Sequence, residues 1–444
     1  MRLLTGFLFI WIITISSTVS ASPKFEHWTL DSGLRVFYVD IQDLPMLDIN
    51  VTFDAGSARD GDKAGVANMT MSMMDSGAAG MSADQVAEAF ESVGARLFAS
   101  ASKDTANIGL RTITLEKPFK KAIDSWLSIM KSPDFPQADF ERLQKQMEVS
   151  FKSSKQRPGS IAGEAFYKNL YGDHPYAQPT RGFEGTVASM TTNDLKAFYD
   201  QYMVEENAMV SIVGAVSREQ AEALAKRVAE VLPSGKRPAP IPEVEPLTEA
   251  KTVHIPFPSS QAHILIGQTG YKRGDPDYFK LYLANHPFGG SGFTSRLMKE
   301  IRVKRGLSYS VYSYFSPSRE LGPFVMGLQT KVEQVDEAKK VLNEMLKAYL
   351  EAGATAQEIE GSKLNITGGF PMNIAGNSNI GNYADVIGFF GLPLDYLDQF
   401  TDQVNAVTKE QAADAMRRRI DPDALLTIIV GGDAPSKEPA KTDG

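Results

Sequence analysis

The chain repeats itself, and that limits what it can fold into more than any other feature. MTTNDLKAFYDQYMVEENAMVSIVGAVS at 190–217 lines up with VTKEQAADAMRRRIDPDALLTIIVGGDA at 407–434, and FPQADFERLQKQME parallels ATAQEIEGSKLNIT. Ala67-Asn68 likewise parallels Ala284-Asn285. A period of roughly 200 residues is too long for a solenoid, whose repeats run ~20–50 residues, so the reading is two duplicated domains. A chain of 444 residues is also too long for one ordinary core. Between the copies, Ser234–Pro246 (SGKRPAPIPEVEP) carries four prolines in 13 residues and reads as an extended linker. The expected domains are therefore 22–233 and 247–434, with 234–246 between them. PSKEPAKTDG at 435–444 is expected to be a disordered tail with no assignable role.

Composition narrows the function classes. Hydrophobic residues make up 43% of the chain and charged residues 23%, ordinary values for a globular protein. A net charge of −8 without a basic block argues against a nucleic-acid partner. There is no cysteine, which excludes thiolate catalysis, cysteine-ligated zinc and disulfides together. At the N-terminus, Arg2 precedes the apolar run Leu3–Ile15, and Val19-Ser20-Ala21 supplies small residues for cleavage after Ala21. This reads as a secretory signal peptide at 1–21. The alternative is an uncut anchor, but the run is shorter than the ~20 residues a spanning helix needs. No later run is long enough to span, so the expectation is an exported, periplasmic protein with no stable membrane span.

Strands alternating with pairs of helices give an α+β expectation, with helices layered on one face of each mostly antiparallel sheet. Strands are expected at Leu34–Val39, Leu47–Phe53, Ala106–Thr114, Ala208–Val213 and His263–Gln268. Ser82 with Gln85, and Thr355 with Glu358, form capping-box patterns. Helices are expected at Phe119–Met130, from Ala138 onward, at Asn193–Tyr202 with Asn193 as N-cap, at Asp277–Ala284, and at Val332–Ala352 up to Gly353.

The stretch with most functional content is Ala284–Phe315, ANHPFGGSGFTSRLMKEIRVKRGLSYSVYSYF. It reads as a helix end, a glycine-rich loop, a short basic helix and a strand, with Arg302 and Tyr309 running from helix into strand. Gly289, Gly290, Ser291 and Gly292 form a loop whose backbone can approach another chain closely. This resembles the C-terminal half of the insulinase/pitrilysin family of zinc peptidases, which includes the mitochondrial processing peptidase. The resemblance covers essentially all of the mature chain and implies two similar α/β-roll halves. It also implies that Arg302 and Tyr309 reach substrate at a zinc held elsewhere, with Gly289–Gly292 facing the substrate. Arg302 can donate a forked pair of hydrogen bonds, and Tyr309 can hydrogen-bond an oxyanion. Taken alone, the spacing favours a solvated helix residue and a packed sheet tyrosine; the whole run SRLMKEIRVKRGLSYSVYSYF is far more specific and reverses that preference.

The family's N-terminal half binds zinc through HxxEH, after a GS-R-D loop and a Gly-Leu-Ala-like step. Here Gly56-Ser57-Ala58-Arg59-Asp60 and Gly65-Val66-Ala67 are present, but the motif positions hold Asn68, Met71 and Ser72. Two histidines four apart on a helix converge on one metal with the glutamate as general base, and none of these replacements serves. The family's third ligand falls near Val149 or Ser150, with Glu148 adjacent. The five histidines, His27, His174, His254, His263 and His286, contain no HxxH pairing. His174 and His286 each precede a proline and read as turn residues. Ser160 and Ser378 also sit in turn-like contexts with no evident base, and the sequence has no G-x-S-x-G and no Walker A loop.

The resemblance thus implies a non-catalytic subunit that supplies Arg302 and Tyr309 in trans to a partner bearing HxxEH and zinc. On this reading the chain carries no cofactor itself, and the substrate is a peptide or unfolded polypeptide. A second reading is an inert scaffold or peptide-binding protein of the same fold. A third, an independent metallopeptidase with a relocated site, needs more histidines than the chain has.

Overall fold

Strictly alternating and fully apolar strand segments build two sheets, and the computed structural model describes residues 23–432. The expected signal peptide and the expected tail lie outside these residues. The first half begins with β1 (Glu26–Thr29), β2 (Arg35–Asp40), β3 (Met46–Phe53) and α1 (Val66–Ser72). A small hairpin, β4 (Gly77–Ala78) and β5 (Met81–Ser82), leads into α2 (Ala83–Glu91), β6 (Arg96–Ala101) and β7 (Ala106–Ile113). Five helices follow: α3 (Glu116–Lys131), α4 (Gln137–Ser154), α5 (Pro158–Tyr171), α6 (Glu184–Ser189) and α7 (Thr192–Tyr202). The half closes with β8 (Ala208–Gly214) and α8 (Arg218–Val231).

The second half runs β9 (Lys251–Ile255), β10 (Gln261–Thr269), α9 (Tyr278–Asn285), β11 (Val311–Phe315) and β12 (Pro323–Lys331). Then come α10 (Val335–Ala352), α11 (Ala356–Asn373), α12 (Asn377–Phe390), α13 (Tyr396–Ala406), α14 (Lys409–Arg419) and β13 (Leu426–Val430).

The duplication is visible strand by strand. The first sheet is ordered β1-β2-β8-β3-β7-β6 and the second β11-β12-β10-β13-β9, so reversing the second reproduces the first without β1. In each sheet one pair is parallel, β2 with β8 and β9 with β13, and the other pairs are antiparallel. The repeat reaches the caps. Thr191 caps α7 in a box with Asp194, as Thr408 caps α14 in a box with Gln411. This corrects Asn193, which lies one turn-position inside the helix: the threonine two residues earlier reaches the free N–H of Asp194. The capping boxes at Ser82 and Thr355 are present, and α10 follows a tight turn at Val332–Gln334 instead of starting there. Ser160 and Ser378 lie in the first turns of α5 and α12, not in free turns; a proline at the start of α5 suits a helix N-terminus.

Each sheet buries both faces, and the second is covered by a helix from the opposite half. Along β8, Val210 and Ile212 join the first-half core around Trp126, while Met209 and Val213 join the second-half core beside Ala384 and Ile387 of α12. Reciprocally, Ala162, Phe166 and Leu170 of α5 pack on Leu426, Ile428 and Val430 of β13. The proline segment forms neither helix nor strand and is pinned along this seam. Ile241 and Val244 are buried in it, Arg59 Nη1 donates to the Ala239 carbonyl at 2.6 Å, and His174 Nε2 lies 2.9 Å from the Pro242 carbonyl.

A loop between β11 and β12 also plugs into the first half. Arg319 pairs with Asp54 at 2.5 Å and stacks on Phe389 at 4.2 Å, and its backbone N–H donates to Asp104 at 3.0 Å. Asp104 also accepts from the Tyr176 hydroxyl at 2.5 Å.

Candidate functional site

The Arg/Tyr stretch is an irregular ridge on the second half. Asn285 ends α9, donating to the Ser313 carbonyl at 2.9 Å and accepting from the Ser313 hydroxyl at 2.6 Å. A π-helical turn, His286–Gly290, follows, then a tight turn at Gly292–Thr294 and a second π-helical turn at Met298–Lys304. Wide turns of this kind recur at functional sites because they re-aim side chains that a regular helix would bury. Leu297, Met298 and Ile301 anchor the ridge in the core.

Arg302 projects from that anchor, with its guanidinium 4.8 Å from the centre of the Phe293 ring. Phe293 is 74% exposed. Three neighbouring cations, Arg296, Lys304 and Arg305, are paired, while Lys299 has no carboxylate partner among the described residues. Arg296 forms a fork on Glu358 at 2.6 and 2.7 Å, which holds that carboxyl down at about 2. Glu300 takes Lys304 at 2.7 Å and Arg305 at 3.1 Å. Among the described residues Arg302 has no carboxylate partner, and the Tyr309 hydroxyl has no hydrogen-bond partner.

Tyr309 is 85% exposed and lies in the loop before β11, which corrects its expected place in the strand. The loop is nonetheless pinned on both sides. Thr330 donates to the Leu307 carbonyl at 2.7 Å, and Ser308 donates to the Ser310 carbonyl at 2.7 Å.

The glycine loop divides in two. Gly289 is buried, and a Cβ there would run into Ser313, so its glycine serves close packing rather than an open face. Gly290 and Gly292 are exposed and Ser291 half-buried; Gly292 has φ +58°, a left-handed conformation that favours glycine.

The degenerate motif lies on α1. Asn68 is half-buried, Ser72 is exposed, and Met71 is buried in the first-half core. Asp60 accepts from the Gly65 and Ala67 N–H groups at 2.6 and 3.0 Å, closing the start of this helix. Burial pushes its carboxyl up to about 7 against those two hydrogen bonds. An amide, a core thioether and a hydroxyl do not make a zinc site. Glu148 is exposed and paired with Lys152 at 2.6 Å. Among the described residues, no three His, Asp or Glu side chains converge to hold a metal. The histidines serve the fold: His174 accepts from the Tyr176 N–H, and His286 bonds Ser362 and Asn365, with burial lowering its pKa.

Residues 35–183 match the family description "Insulinase (Peptidase family M16)", and residues 189–366 match "Peptidase M16 inactive domain". A crystal structure from Pseudomonas fluorescens, titled a peptidase M16 inactive domain, is 35% identical. It superposes with a TM-score of 0.89 over 93% of this chain and 100% of that one. This chain belongs to peptidase family M16. Among curated M16 relatives, the "uncharacterized zinc protease YmxG" of Bacillus subtilis is 24% identical over 93% of this chain and 100% of its own. The "non-peptidase homolog YmxG" of Helicobacter pylori is 25% identical over 96% and 98%. This M16 chain therefore has the family fold. Sequence reasoning missed the polar cluster of Asn50, Thr52, Ser211 and Asp385 between the halves. The available signal was polar residues recurring on one face of otherwise apolar strands.

Proposed function

We propose that this chain is the non-catalytic, substrate-binding subunit of a heterodimeric M16 zinc metallopeptidase, exported to the periplasm. The observation that carries the reading is the pinned ridge on which, among the described residues, Arg302 has no carboxylate and Tyr309 no hydrogen-bond partner, while Arg296, Lys304 and Arg305 are paired. A guanidinium and a phenol held outward in this way are useful against a developing negative charge. The chain's own motif positions cannot generate that charge, so the zinc is assigned to an HxxEH-bearing partner. Arg302 then orients the substrate's carbonyl or carboxylate groups, Tyr309 donates to the oxyanion, and Gly290–Gly292 lets the peptide backbone approach. The name of the H. pylori relative, a non-peptidase homolog, agrees with a chain that does not cut alone.

The test is cleavage of a quenched peptide library by this chain, by a co-exported HxxEH homologue, and by the mixture. Activity confined to the mixture, with Arg302→Ala or Tyr309→Phe lowering kcat/KM ~10–1,000-fold, is the expected result. Chelator-sensitive cleavage by this chain alone would refute it. An inert peptide-binding role is favoured instead by the stacked pair Tyr312 and Tyr314 on the edge strand β11. That role predicts peptide capture that is indifferent to Tyr309→Phe.

A further inference from the structure

A cavity of about 540 Å³ lies between the first sheet and α12, far larger than the ~30 Å³ share of one water molecule. Its polar end is built around Asp385. Ser211 donates to Oδ1 at 2.7 Å and Asn50 Nδ2 donates to Oδ2 at 2.6 Å, both neutral donors. Asn50 is only 8% exposed. Its nitrogen is identified by three acceptors: Asp385, Thr52 Oγ1 at 3.2 Å and Asn107 Oδ1 at 3.4 Å. That leaves Asn50 Oδ1 buried without a donor among the described residues. A buried orphan acceptor costs ~1–3 kcal/mol unless something donates to it.

The other charged groups on the wall are provided for. Asp48 holds a fork from Arg111 at 2.8 and 3.1 Å, and Asp104 accepts from Tyr176 and the Arg319 N–H. Lys103 donates to the carbonyls of Tyr176 and Gln178. Asp385 has no cation, and its position deep between the halves pushes its carboxyl up to about 7. One carboxylate without further charged oxygens is a poor site for a divalent metal. The lining is also aromatic: Phe389, Phe390 and, 42% exposed, Phe98.

We infer that this inter-half cavity is a binding site for a primary ammonium carried on an apolar stem, with Asp385 and Asn50 Oδ1 receiving its N–H groups. A free alkylamine and a lysine side chain share this chemistry. A water molecule would satisfy Asn50 but leave the carboxylate uncompensated. The site is separate from Arg302 and Tyr309 and independent of the role proposed for them.

Isothermal titration of the full chain with n-hexylamine at pH 8 tests the site, with hexan-1-ol as the uncharged control. Saturable one-site binding of the amine is expected, with the alcohol at least ~10-fold weaker. Asp385→Asn, which keeps the side-chain shape, should weaken the amine by ~10-fold or more while leaving the melting temperature near or above wild type. Gly381→Leu gives a second arm: a Cβ there meets nothing within 4 Å, and the larger side chain, one helical turn before Asp385, intrudes on the cavity. It should abolish binding in a folded protein. N-acetyl-lysine amide separates a polypeptide lysine from a free alkylamine; binding of either upholds the site. Absence of saturable binding, equal affinity for the alcohol, or undiminished binding to Asp385→Asn would overturn the inference.

Discussion

Asp60 and Asp385 have carboxyls pushed up to about 7, while Glu358 is held down at about 2, and these oppose each other in the pH dependence of stability. A raised folded-state pKa favours the protonated form. The contribution of Asp60 and Asp385 is therefore complete below pH ~4 and disappears as pH rises through about 7. Glu358 acts in reverse: its stabilisation is present above pH ~4.5 and lost as pH falls through about 2. Asp385→Asn should accordingly flatten the fall in stability between pH 4 and 7. Urea midpoints measured from pH 4 to pH 8 should converge with wild type at pH 4 and exceed it at pH 8. At the ridge the expectation is neutral. Tyr309→Phe removes an exposed hydroxyl without a partner, and Arg302→Ala removes a half-buried guanidinium whose contact is the exposed Phe293 ring, so each should shift stability by no more than about 1 kcal/mol in chemical denaturation. Gly289→Ala should cost ~1–3 kcal/mol, because its Cβ collides with Ser313.

At the level of elements, α1 is held by its core side and its start. Met71 occupies the core, and Asp60 supplies the acceptor at the helix start. Asp60→Ala should cost ~1–3 kcal/mol, seen as a lower melting temperature with the fold's circular dichroism unchanged. Local chemistry made much of the element content readable in advance. Ser82 with Gln85 and Thr355 with Glu358 mark helix starts by themselves, and Leu47–Phe53 alternates strictly. What failed was any feature whose cause lies far away in sequence. Nothing within residues 377–390 says that α12 covers β8, and nothing near Pro158 says that α5 covers β13. Asp385 reads as an ordinary polar helix residue until Asn50 and Ser211 are brought to it. Tyr309 reads as strand because SYSVYSYF alternates, but the hydrogen bonds at Leu307 and Ser308 hold the chain off the sheet until Val311.

On the scale of the whole molecule, the halves hold each other through exchanged helices, the pinned proline segment and the Arg319 plug. Although duplicated, they should melt together. Calorimetry should give one transition whose van't Hoff and calorimetric enthalpies agree. Arg319→Ala removes a pair to the nearly buried Asp54 and a stack on Phe389, but leaves Arg59 on Asp54 at 2.8 Å. It should therefore cost ~1–3 kcal/mol, less than breaking an isolated buried pair, and two resolved transitions in the variant would show that the plug couples the halves.

The exchange of α5 and α12 also sets an order in time. The first sheet is complete in sequence once β8 has been made, yet the helix that covers its second face begins only at Asn377. Through most of synthesis, that face has no cover of its own. A nascent chain halted at the proline segment would present Met209 and Val213 to solvent, an aggregation hazard that the finished protein never displays. Two halves with the same topology have become unable to live apart.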